Sequence, residues 1–267
     1  MDKEGIMATD SRWWEEYTDA LDAHPSSREE AQEIVRAAAR IAGGKHSFLQ
    51  LAGDVISDAT SEWPVPEVTL SEGGIPVIKL PHFSGNQGEG VKYASAVLSA
   101  IPDDIQGVVI DLRGNTGGNM YPMIAAVHRF LPNDDEMLRF RTRKRTQWIP
   151  LSYAVQVAGV QQQSRIECPV AILTDNLTAS SGEATLICFR GLDYVRVFGA
   201  PTAGYASANQ PFPLPGGDRL VFTTGCDVAR TGEAFCDDPI APDVLTSSPL
   251  EDALEWFSIR VNVKNRL

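Results

Sequence analysis

From residue 75 onward the chain runs in short apolar segments: IPVIKL (75–80), GVVIDL (107–112), AILT (171–174), YVRVFG (194–199) and RLVFTT (219–224). Helical patterns such as YASAVLSAI and MIAAVHRFL alternate with the first of them. Runs of this length are strand-sized, and their alternation with helices is the pattern of an α/β core. The chemistry of such a chain is sought at its strand-to-helix junctions.

Two junctions stand out. GVVIDLRGNTGGN leads a buried strand through a glycine-rich turn into a helix, where free backbone N–H groups can hold an anion. It is not a GxxxxGK[ST] loop and no GxGxxG follows any strand, so nucleotide binding has no support; an oxyanion would suit the turn equally well. AILTDNLTASSGEATLICF puts residues 178–183 at the start of the next helix. A serine there has the positive end of the helix dipole behind it, and the N–H after it can help hold a developing negative oxygen. Serines at helix starts also serve simply as caps.

Residues 12–51 read as helices. WWEEYTDALDA is followed by a Pro25-Ser26-Ser27 break, then by REEAQEIVRAAARIA with apolar positions at helical spacing. Gly43 and Gly44 stop that helix, and His46 comes directly after. These observations divide the chain into an N-terminal helical bundle (1–60) and a core (61–267), with 133–167 as a cap insert over a cleft. Within the insert Arg139, Arg141, Arg143 and Arg145 alternate, which predicts a basic stripe along one strand face, either solvated or touching substrate.

With 35 acidic and 23 basic residues the formal charge is −12, which disfavours a nucleic-acid partner. The opening segment lacks the basic start and apolar stretch of a secretory leader, and no long apolar run follows. That predicts a cytoplasmic chain without a membrane segment, or an exported form if a leader was removed. Cys168, Cys188, Cys226 and Cys236 form neither CxxC pairs nor zinc-spaced clusters, so no metal is expected. The four are expected to be buried small hydrophobes, with a bridge between Cys226 and Cys236 as the alternative.

The junction motifs together resemble the S41 serine peptidases. DLRGNTGG is similar to that family's DLRGNxGG element, and TASSGE to its nucleophile segment, commonly SASASE. GAPTAG, the LPGGD hairpin and the late APD look like its GEPTxG, LPDG and PD elements, in the same order. The resemblance implies an α/β fold with a crotonase/ClpP-like ββα core and Ser180 as nucleophile. It implies Ser181 and either Gly117 or Gly118 as oxyanion donors, and it implies no cofactor. Tail-specific members use a lysine base where this chain has Tyr205, which is expected to face substrate instead. The tricorn-like and nisin-resistance-type members place a histidine in the N-terminal region, and GGKHSF resembles their pattern, which implies His46 as the base. Too few residues separate 51 from 75 for the PDZ domain that many tail-specific relatives carry.

Glu183, three residues after Ser180, is expected to support the site or orient His46, with Asp237 and Asp238 as lesser candidates. His82 is the chief competitor of His46, while His24 and His128 are expected to be structural. The expected reaction is cleavage of a peptide or unstructured tail through an acyl-enzyme. A catalytically inactive peptide-binding protein and an acyl-CoA enzyme of the same fold remain alternatives, and the oligomeric state stays open.

Overall fold

The computed structural model describes residues 1, 4–8, 15, 18, 19, 22, 24–53 and 63–264. Most of the first expected helix lies outside these residues. The second is present as α1 (Arg28–Gly43): the Ser27 hydroxyl caps it by accepting from the Glu30 N–H, and Gly44 ends it at φ 78°.

One sheet forms the core, in the order β12 (Val244–Leu245), β8 (Val195–Gly199), β7 (Val170–Thr174), β4 (Val108–Asp111), β3 (Pro76–Lys79) and β2 (Glu67–Leu70). All its pairings are parallel except β2 with β3. Parallel strands are covered on both faces and so read as unbroken apolar runs. Val108 and Ile110 join the main core with Tyr93 of α2 (Gln87–Leu98), Met123 of α3 (Met120–Val127) and Ile187 of α5 (Ser181–Cys188). Val109 points the other way, to Phe257 on α6 (Pro249–Lys264).

The second sheet is antiparallel and built around the long β10 (Arg219–Ala229). β10 pairs with β1 (Phe48–Gln50), β5 (Leu138–Thr142), β9 (Ser207–Pro213) and β11 (Ala234–Phe235); β5 also pairs with β6 (Thr146–Ile149). Helix α1 lays Ala38, Ala39 and Ala42 on Leu220 and Phe222 of β10. Burying each of those two large side chains stabilises the join by about 2 kcal/mol. The N-terminal segment is thereby fixed to the second sheet, and His46 lies between α1 and β1.

Residues 133–167 supply β5 and β6 to the second sheet, and α4 (Leu151–Ala158), which packs on α3. The expected arginine stripe is corrected: the strand ends at Thr142, so only Arg139 and Arg141 share a face and Arg143 and Arg145 lie in the turn. The cysteine expectation is half corrected. Cys168 and Cys188 are free and buried, but Cys226 and Cys236 form a disulfide with Cα atoms 4.7 Å apart. Among the described residues no helix is long and apolar enough to cross a membrane.

Candidate active site

Ser180 is the N-cap of α5, at the end of the 175–180 segment that follows β7, and its backbone stands at φ 50°, ψ −115°. Only it and His24 among the described non-glycine residues have positive φ. Such a conformation costs about 1–3 kcal/mol and persists where the surroundings enforce it. The enforcement is visible: the Ala179 N–H donates to the Asn115 carbonyl (2.9 Å), and Thr178 donates through its hydroxyl to the Leu112 carbonyl (3.0 Å). The Asn115 amide anchors the glycine turn by donating to the Leu80 carbonyl at 2.9 Å.

The turn lies directly on the serine. A Cβ placed on Gly117, at φ 102°, would come within 2.7 Å of the Ser180 Cβ, and one on Gly118 within 2.0 Å of the Phe83 carbonyl oxygen. The Gly117 N–H donates to Asn115 Oδ1 (2.9 Å), which occupies it. Gly118 borders the cleft, and its carbonyl accepts from the Ser181 hydroxyl at 2.6 Å.

Glu183 is fully buried, and one carboxylate braces two loops. It accepts from the N–H groups of Ser180 (2.9 Å), Gly204 (2.9 Å) and Tyr205 (2.7 Å) and from the Thr202 hydroxyl. Burial pushes its carboxyl above the usual carboxylate range, opposed by those four donors. None of these bonds goes to His46.

His46 Nδ1 is 2.8 Å from the Ser207 hydroxyl, and its backbone carbonyl accepts from the Asn209 amide (3.1 Å). Burial, with Lys45 adding like charge, lowers its pKa to about 4, so the ring is neutral at pH 7. Tyr205 meets the imidazole edge-on at 5.3 Å and lies beneath the Lys45 ammonium at 4.6 Å. Asp237 accepts from the Lys45 N–H (2.9 Å), which pins the chain one residue before the histidine; Asp238 is exposed.

Ser180, Ser181, His46, Ser207 and Gly118 line one cleft of about 620 Å³. A larger hollow of about 730 Å³, between β2 and α6, contains serines but neither histidine nor cysteine. The other histidines are elsewhere. His82 meets the Trp63 ring edge-on at 5.9 Å; His128 is buried between the Ala125 carbonyl and the Gln163 N–H; His24 is exposed. On β5 the cleft residue is Phe140, so Arg139 and Arg141 point to the opposite face, where Arg139 stacks on Trp148 at 4.3 Å. Among the described residues no group of three or more His, Cys, Asp or Glu could hold a metal ion.

Ser207 and Asp227, both on the cleft, were not singled out by the sequence reading. Ser207 carries no motif. Asp227 did leave a signal, as an acidic residue inside an otherwise buried strand.

A serine in an enforced conformation at a helix start shares one cleft with a neutral histidine, the two residue types that nucleophilic serine hydrolases combine. Sequence comparison makes the assignment particular: the chain belongs to peptidase family S41, whose model matches residues 74–246. It is 29% identical to the nisin-resistance protein of Lactococcus lactis over 98% of this chain and 85% of the relative. It is 24% identical to a carboxy-terminal-processing protease of Bartonella bacilliformis over 70% of this chain, which spans only 42% of that protein. A solved structure of a lipoprotein from Streptococcus agalactiae superposes with a TM-score of 0.87 at 30% identity, covering 97% of this chain and 92% of the other.

Proposed function

We propose that the chain is a serine endopeptidase acting on a peptide or an unstructured tail. Ser180 attacks the carbonyl and His46 takes its proton, then returns it to the leaving amine. With Nδ1–H donated to Ser207, Nε2 retains the lone pair a base needs. The N–H groups of Ser181 and Gly118 receive the negative oxygen; Gly117 is set aside because its N–H is committed to Asn115. Glu183 is a positioning residue that holds the serine loop against the 202–205 loop. Water then hydrolyses the acyl-enzyme.

The observation that carries this reading is the convergence of Ser180 and His46 on one cleft from two different sheets. A fluorophosphonate probe should label the chain but not Ser180→Ala, and a peptide library should be cut by the chain alone. A library left intact by a fully folded chain would support the non-cutting peptide binder instead. Nisin is one substrate to include, because a relative bears its name. The Cys226–Cys236 disulfide suits an oxidising compartment and favours an exported form over a cytoplasmic one.

A further inference from the structure

Asp227 plays no part in the proposed bond cleavage, yet it lies in the cleft. It is 2% exposed, and its Cα is paired across the sheet with that of Phe140, which shares the cleft with Met120 and Ala184. Its Oδ1 has no hydrogen-bond partner. Buried polar atoms are nearly always paired, and one left open beside a binding cavity is available to a ligand. Among the described residues no lysine or arginine lines the cleft, so nothing within it neutralises this carboxyl. Over the whole chain, 35 acidic against 23 basic residues create a field that draws cationic peptides.

We propose that Asp227 selects peptides carrying a lysine or arginine beside the bond to be cut, its carboxylate pairing with the side-chain cation while the aliphatic stem lies along Phe140 and Met120. The proposal rests on the cleft being a peptide site and names the class of peptide it takes. Burial, reinforced by the Glu183 carboxyl, raises the Asp227 pKa to about 8, so the empty cleft holds a neutral acid. An arriving cation shifts the balance, and the displaced proton leaves to solvent. A leucine in the same place leaves Oδ1 unpaired.

The test is binding of arrayed peptides that differ at one position (Lys, Arg, Gln, Leu or Glu). They are presented to the full chain bearing Ser180→Ala, and to that chain with Asp227→Asn or Asp227→Glu added. Lysine and arginine peptides should bind about 100-fold more tightly than the leucine peptide. Asp227→Asn should remove that margin and Asp227→Glu should keep most of it. An array with no basic preference, a preference that survives Asp227→Asn, or loss of all binding in both Asp227 variants would overturn the assignment. Because Ser180→Ala removes the nucleophile, the result does not depend on cleavage. A chain that binds basic peptides but cuts none would defeat only the peptidase reading.

Discussion

Ser180 stands on the parallel sheet in a loop tied by adjacent segments, with Asn115, Thr178 and Glu183 fixing the backbone on either side. His46 hangs between α1 and β1 on the antiparallel sheet, held by Ser207, Asn209 and Asp237, each more than 150 residues away along the chain. One half of the cleft is thus set by its own loops and a buried brace, the other by the docking of an N-terminal segment. The contrast teaches that the setting of Ser180 is built within one sheet and the loops at its edge, whereas that of His46 depends on docking the N-terminal segment onto the other sheet.

The largest effects should come from removing either member of the pair. Ser180→Ala and His46→Ala should each lower kcat by about 10⁴-fold or more without a matching loss of melting temperature. An equal loss in both would show that two sheets act as one unit; a mild effect of His46→Ala would break the comparison. Gly117→Ala should strike the nucleophile's side, since its Cβ would meet Ser180 at 2.7 Å from a backbone at φ 102°. Expected are about 1–3 kcal/mol of destabilisation by denaturant melts and near-complete loss of turnover. Ser207→Ala should act on the base's side alone. Losing its bond to Nδ1 should cost about 1 kcal/mol, or roughly a fivefold fall in kcat with KM little changed. The smallest effect is on the pH profile. A base depressed to about 4 stays neutral down to that pH, so kcat/KM should hold through pH 6 and fall only near 4. Stability follows the same group: the unfolded histidine takes a proton near 6.5 and the folded one does not. The His46 contribution therefore wanes as pH drops from about 6.5 to about 4, a slope that His46→Gln should remove in melts.

The same contrast explains what could be read from the sequence. The strands of the parallel sheet announced themselves because burial on both faces leaves unbroken apolar runs, and the junctions because a glycine turn and a small-residue helix start are contiguous in the chain. Helix α1 was legible from its Ser27 cap and its Gly43-Gly44 stop. The arginine stripe misled because alternation looks the same whether a strand continues or turns, and here it turns after Thr142. The disulfide was underestimated because a spacing of ten residues does not reveal that β10 and the segment after β11 come together. Ser207 was invisible for a similar reason: nothing in AGYASANQ says that a distant histidine will lie against it.

Glu183 grips positions 204 and 205 through main-chain N–H groups only. At position 205 that hold uses no side-chain atom, so Tyr205 can be exchanged for any residue that keeps its N–H without losing the bond. A protein engineer can therefore vary position 205 while the buried brace stays in place.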